Sequence, residues 1–279
     1  MAIKKSELYS SLWASCDELR GGMDASQYKD YVLVLLFIKY VSDKYAGVPF
    51  APITIPEGAT FDDMVALKGK TDIGDQINKN IIAPLQEANK LGNMPDFNDD
   101  EKLGKGKEMV DKLTNLISIF ERRELDFAAN NSEGDDILGD AYEYLISQFA
   151  SGAGKKAGEF YTPQQVSKVL AQLVTQNKDK LKSVYDPTCG SGSLLLRVAK
   201  EVKSVGKFYG QEMNPTTYNL CRMNMIMHDV HYKHFDIKNE NTLEKPQHEE
   251  ERFEAIVANP PFSAKWSASP LFMSDERFS

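Results

Sequence analysis

Three short stretches hold residue types able to do chemistry. The first is DPTCGSGSLLL, residues 186–196. Asp186 closes an apolar run, Gly190 and Gly192 follow, and a helical pattern opens at Ser193. Glycines let backbone N–H groups approach a ligand closely, and a helix N-terminus favours negative charge. A dinucleotide fingerprint needs a third glycine three residues after the second, and position 195 is leucine. An acid ahead of the turn and amides within it suit a ligand carrying both an ammonium and a carboxylate. The methionyl end of S-adenosylmethionine is such a ligand. A plain glycine turn joining strand to helix has the same appearance, so the motif needs its neighbours.

The second stretch is YGQEMNP, with Glu212 at the tip of the next apolar run. An acid about 20 residues beyond a glycine turn, on the adjacent strand, is placed to accept from two ribose hydroxyls. Met213 beside it suits an adenine ring or an ordinary core position equally. The third is FEAIVANPPFSAKW, residues 253–266, where an apolar run stops at Asn259-Pro260-Pro261-Phe262. An aromatic amine is a weak nucleophile because its lone pair is delocalised into the ring. Two acceptors at its N–H bonds draw the nitrogen toward a tetrahedral shape. Asn259 offers a side-chain oxygen and Pro260 a backbone carbonyl, and the proline rings stiffen the turn that aims them. Phe262 is able to stack on a base turned out of its helix. GEFYTP, residues 158–163, places aromatics upstream of the glycine turn, where they either cover a cofactor or staple the start of a helix.

These motifs need a scaffold, and the second half of the chain reads as one. Thr162 is expected to cap a helix with Pro163 in its first turn. Strands are expected at 183–186, 207–212, near 231–237 and at 253–258, with helices from Ser193 and over 215–228. Strands alternating with helices imply a parallel sheet covered by helices. The first half reads as helical instead, with helices expected at 3–20, from Asp24 to Tyr45, and over 72–91, 106–128 and 134–150. The Pro-rich stretch 48–58 reads as a connector, and the acidic stretch DFNDDEK, 96–102, as a solvated one. SGAGKKAGE, 151–159, has the composition of a linker. The expected division is a helical domain over 1–152 and a catalytic α/β domain over 153–279.

At 279 residues the chain is long enough for about two domains. Its net charge of −8 is opposite to that of a protein gripping nucleic acid unaided. Either the substrate is not nucleic acid, or a partner supplies most of the phosphate grip, or a local basic strip does so. The three cysteines, Cys16, Cys189 and Cys221, are far apart, which fits a reducing cytosol rather than a disulfide framework or a zinc ribbon. The apolar run 31–41 is shorter than the roughly 20 residues a bilayer requires, so a buried helix is expected and a membrane role is not. His228, His231 and His234 with Asp229 straddle a helix end and a strand, so their rings are expected to diverge and no metal site is assigned.

Taken together, FYTP, DPTCGSGSLLL, YGQEMNP and NPPFSAKW behind a helical domain resemble the modification subunit of type I restriction–modification systems. The resemblance covers nearly the whole chain. It implies adenine-N6 methylation of DNA from S-adenosylmethionine, with a DNA-specificity subunit, a second modification subunit and a restriction subunit as partners in the cytoplasm. It implies a Rossmann-like fold with about seven strands in the complete family member, so a chain ending at Ser279 is expected to hold part of the sheet and to be inactive alone. It assigns Glu159, Phe160, Tyr161, Thr162, Pro163, Gln164, Asp186, Gly190, Ser191, Gly192, Ser193 and Glu212 to the cofactor site, and Asn259, Pro260 and Phe262 to the target base. Asn241 joins the cofactor site beside the adenine, a place for which Asp236 also competes. Other amino-group methyltransferases, acting on guanine N2 in RNA or glutamine in protein, share the Asn-Pro-Pro-aromatic pattern. A non-catalytic cofactor-binding module is the reading of a different class.

Overall fold

The computed structural model describes residues 5–19, 21, 25–92, 94–122, 125, 137–152 and 162–261. Its first half is helical. Helix α1 (Lys5–Leu19) precedes α2 (Ala25–Tyr45). Short helices α3 (Phe61–Val65) and α4 (Ile73–Gln76) follow, and α4 runs through a wider turn at Ile77–Ile82 into α5 (Ala83–Asn89). Helices α6 (Asp100–Leu103), α7 (Lys107–Phe120) and α8 (Ile137–Gly152) complete this part.

Helix α2 is the axis of the helical part. Every residue from Tyr31 to Ile38 is buried, as expected of a helix apolar on all sides. Helices α3, α7 and α8 pack around it. Lys39 ends the apolar run and pairs with Asp43 one turn on, at 2.6 Å. Among the described residues no helix is long and apolar enough to cross a membrane.

Two expectations in this half are corrected. The acidic connection at 96–102 is not simply solvated. Phe97 is fully buried and meets the Tyr31 ring edge-on at 5.3 Å between centroids, while the Asp99 carboxylate accepts from Glu101 N and Lys102 N to cap α6. The helix expected over 106–128 ends at Phe120. The Asp24 cap lies outside the described residues.

The second half alternates. Helix α9 (Gln164–Val174) leads into β1 (Lys180–Asp186), α10 (Ser193–Lys200), β2 (Ser204–Gln211), α11 (Pro215–Met227), β3 (Phe235–Lys238) and β4 (Ala255–Ile256). All pairs are parallel and the order is β3-β2-β1-β4. The chain steps outward from β1 to β3, then returns to the far side of β1. Such a reversal leaves a crevice beyond the carboxyl ends of the two strands that flank it. Register sets the faces. Val184, Phe208 and Phe235 share one face, which α10 and α11 cover. Tyr185 and Tyr209 share the other, where Phe253 stacks on Tyr185 at 4.4 Å and His248 meets both tyrosines edge-on.

Helix α11 also fastens the two halves together. Asn219 Oδ1 accepts from Gly92 N at 2.9 Å, and Arg222 donates to the Asn89 carbonyl at 3.3 Å. Just past its end, Asp229 takes Lys44 at 2.7 Å and the Tyr45 hydroxyl. Helices α2 and α8 pack directly against α11.

Candidate functional site

The glycine turn forms because β1 and α10 must be joined by a backbone doubling back over the sheet. Gly190 and Gly192 take φ of +53° and +80°, a region in which side-chain-bearing residues are strained. Gly192 has a second constraint, since a Cβ there would lie 2.8 Å from Cys221 Sγ. The turn rests on the sheet through Cys189, whose N–H donates to the Gln211 carbonyl at 3.0 Å. Its thiol lies over Gly210, where a Cβ would come within 3.0 Å of the sulfur. Cys189 is thus a packing residue, and its contact with the Cys221 thiol, together with burial, pushes its pKa well up. Gly192→Ala is expected to cost about 1–3 kcal/mol in urea denaturation, from left-handed strain and the sulfur contact. Paired with Cys221→Ala it should cost less than the sum of the two single changes.

Two carboxylates flank the turn. Asp186 ends β1, is 2% exposed, and accepts from Thr188 N at 2.9 Å. Burial pushes its pKa up to about 7, the Thr188 N–H opposes that, and nearby Glu212 adds to it. Glu212 follows the last residue of β2 and is half-buried. It accepts from Gly190 N at 3.1 Å and from Asn214 N at 2.7 Å. Burial raises its pKa, against the pull of those amides. A carboxylate has about four acceptor positions, so Glu212 can brace the turn and still receive hydroxyl donors.

The loop after β3 closes the next side. Gln211, fully buried, donates to the Glu240 and Lys245 carbonyls at 3.1 and 3.0 Å and accepts from Gln247 N at 3.1 Å. Asn239 donates to the Glu212 carbonyl at 2.7 Å, and Thr242 donates to the Pro187 carbonyl at 2.5 Å. Asn241 lies between these anchored residues, and its side-chain oxygen accepts from Leu243 N at 3.0 Å. Asp236 lies one step inside the strand, level with Tyr209 on the aromatic face, and pairs with Lys238 at 2.9 Å. Of the two competitors, Asn241 is the one at the strand ends.

Strand β4 brings the third motif alongside. Val184 and Tyr185 pair with Ala255 and Ile256, and Val257 N donates to the Tyr185 carbonyl at 2.9 Å. The strands are parallel, so Asn259 and Pro260 emerge at the same edge as the glycine turn. Asn259 Nδ2 donates to the Thr162 hydroxyl at 3.3 Å, across 97 residues of sequence. That contact corrects the expectation for Thr162. Helix α9 begins at Gln164 with Pro163 in the capping position, where no side chain caps it, and the Thr162 hydroxyl serves Asn259 instead. Gln164 is exposed, and its carbonyl accepts from the Ser167 hydroxyl at 3.0 Å. Glu159, Phe160, Tyr161 and Phe262 lie outside the described residues.

Thr162, Asp186, Gly190, Ser191, Gly192, Ser193, Glu212, Asn241, Asn259 and Pro260 are therefore brought to one edge of the sheet by β1, β2 and β4. Reasoning from sequence missed the supports: Gln211, Asn224, Asn239 and Thr242. A signal for one of them was present, because Asn224 is an amide at a position that the helical period buries between Met223 and Met225. The histidines turn elsewhere. His228 Nδ1 approaches the Asn224 carbonyl at 3.0 Å, and His231 Nδ1 accepts from Lys233 N at 3.1 Å. Among the described residues no group of three or more His, Cys, Asp or Glu side chains is disposed to hold a metal ion.

Known proteins resemble this chain in sequence and fold. Residues 133–279 match the family described as N-6 DNA Methylase, and residues 8–120 match the HsdM N-terminal domain. The chain is similar to the type I restriction enzyme MpnII methylase subunit of Mycoplasma pneumoniae, at 34% identity over 96% of this chain and 60% of that protein. Its similarity to the HindI methylase subunit of Haemophilus influenzae is 32% identity over 57% of this chain and 38% of that one. The chain spans about half the length of the curated relatives it matches. The crystal structure of a type I restriction-modification system methyltransferase subunit from Streptococcus thermophilus superposes with a TM-score of 0.77 at 32% identity, covering 99% of this chain and 67% of that one. On a family match that runs over more than half of its residues, the chain belongs to the N-6 DNA methylase family.

Proposed function

We propose that this chain is the methyl-transferring part of a type I modification subunit, placing a methyl group on adenine N6 of DNA. The observation that carries the reading is the parallel pairing of β1 with β4. It sets the glycine turn and the Asn-Pro-Pro turn side by side at the reversal of strand order, where open α/β sheets bind ligands.

The residues at that edge fit S-adenosylmethionine. Gly192 takes a left-handed φ of +80° just before the first residue of α10, and the first-turn amides of that helix are suited to a carboxylate. Asp186 is a buried acid suited to an ammonium group, Glu212 to ribose hydroxyls, and Asn241 to the adenine. Ser191 and Ser193, whose hydroxyls lie 3.0 Å apart, line the turn. Thr162, Pro163 and Gln164, with Glu159, Phe160 and Tyr161 before them, cover the methionine end. When bound, this cofactor supplies an electrophilic methyl group.

The chain's own residues prepare the acceptor. The Thr162 contact takes up the Asn259 amide nitrogen and leaves its side-chain oxygen to accept from the base amine. The Pro260 carbonyl accepts a hydrogen bond from the second amine N–H, and Phe262 stacks on the base. Acceptors held in place before the reaction stabilise positive charge as it grows on nitrogen without reorganisation at that moment.

The partners follow from chemistry and kinship. A net charge of −8 leaves most of the phosphate grip to another chain. The relatives are named as subunits of type I restriction enzymes. We assign the missing grip to a DNA-specificity subunit, with a second modification subunit and a restriction subunit in the larger assembly, in the cytoplasm. The helical domain is taken as residues 1–152 and the catalytic domain as 153–279.

The test is transfer of a radiolabelled methyl group from S-adenosylmethionine. The full-length subunit with its specificity subunit should label double-stranded DNA at adenine, and RNA and protein substrates should stay unlabelled. Label in RNA or protein, or none in DNA, would overturn the assignment.

A further inference from the structure

The glycine turn carries a support that its own motif does not reveal. Asn224 lies two turns into α11 and is 0% exposed. Its Nδ2 donates to the Ser191 carbonyl at 2.9 Å. Among the described residues its buried Oδ1 has no hydrogen-bond partner. A buried acceptor left unpaired weakens the fold, a cost that an apolar residue here would not carry. The single bond that the amide does make goes to the centre of the glycine turn.

Ser191 stands between two glycines in the left-handed region. Glycine tolerates both hands of backbone geometry, so the peptide joining Ser191 to Gly192 is free to rotate unless something holds it. The Gly190 amide is held by Glu212 and the Pro187 carbonyl by Thr242. The N–H of the Ser191–Gly192 peptide, on Gly192, donates to the Cys189 carbonyl at 2.8 Å, and Asn224 holds its carbonyl end from the interior side. A rotated peptide would turn the Ser191 oxygen outward, putting the negative end of a dipole where an anionic ligand group belongs.

We propose that Asn224 is a positioning residue that keeps the Ser191 carbonyl pointing into the protein, so that the turn presents N–H groups to the carboxylate of its ligand. The inference rests on the reading of the site as an S-adenosylmethionine site. Asn224 never touches the ligand and acts only through the loop backbone.

The experiment compares two ligands by calorimetry on the full chain: S-adenosylhomocysteine, which carries the amino-acid carboxylate, and 5′-methylthioadenosine, which lacks it. In Asn224→Leu, affinity for the first should fall at least tenfold and affinity for the second should change less than threefold, with the denaturation midpoint kept or raised. Asn224→Ala, which leaves a cavity, should show the same ratio between ligands whatever its stability. Equal losses for both ligands, or none, would assign Asn224 a purely structural role and overturn the inference. If the unsubstituted chain binds neither ligand, the reading of the site fails first and the inference with it.

Discussion

Asn259→Ala is expected to reduce methyl transfer by at least about 10²–10³-fold, the range found when one pre-positioned polar group is removed from an active site. Affinity for S-adenosylmethionine should stay within about threefold. The split follows from position. Asn259 stands beyond β4, while the acids proposed to face the cofactor belong to β1 and the end of β2. Removing its oxygen strips one acceptor from the amine and leaves the glycine turn untouched. Thr162→Val should give a smaller loss of about tenfold, because it frees the Asn259 amide to rotate without deleting the oxygen. Single-turnover transfer with the specificity subunit present reads the first quantity and calorimetry the second. Transfer that survives in Asn259→Ala would remove this residue from the chemistry.

The second large effect is a dependence on pH centred on Asp186. Burial, opposed by the Thr188 N–H and reinforced by Glu212, raises its carboxyl from an ordinary 3.8 to about 7. Between those two values the folded chain holds a proton that the unfolded chain has released. Stability from this group is therefore greatest below about pH 4, falls as pH rises toward 7, and is flat above it. At about 1.4 kcal/mol per pH unit, the fall is on the order of 4 kcal/mol. Asp186→Asn keeps the acceptor for Thr188 N and removes the charge. It should flatten that slope and raise stability at pH 8 by about 2–4 kcal/mol, and at pH 5 by less than about 2 kcal/mol. The same substitution should weaken cofactor binding at least tenfold, since the ammonium group loses its counter-charge. In the unsubstituted chain, affinity should strengthen as pH rises through 7, because only the ionised acid pairs with an ammonium. Urea titrations at the two pH values that run parallel in both proteins would exclude Asp186 as the source. Strongly perturbed acids of this kind concentrate at functional sites.

What the amino-acid sequence determined alone is what depends on near neighbours. The strand–helix alternation, the glycines at left-handed positions, the acid closing β1 and the prolines closing β4 all follow from local periodicity and backbone chemistry. Each needs only a few adjacent residues to be expressed. Tertiary structure decided whatever needed a distant partner. Thr162 has every local mark of a helix cap, yet its hydroxyl is taken by Asn259. Phe97 sits in an acidic run but is fully buried against Tyr31. Asn224 reads as one polar residue among methionines until the turn folds over it and offers the Ser191 carbonyl. The site itself belongs to this second kind, because β4 returns to the far side of β1 across some seventy residues. Backbone preference acts over one or two turns of chain. The choice of strand neighbour is made by the burial of whole faces, and it is that choice which sets two unrelated motifs edge to edge.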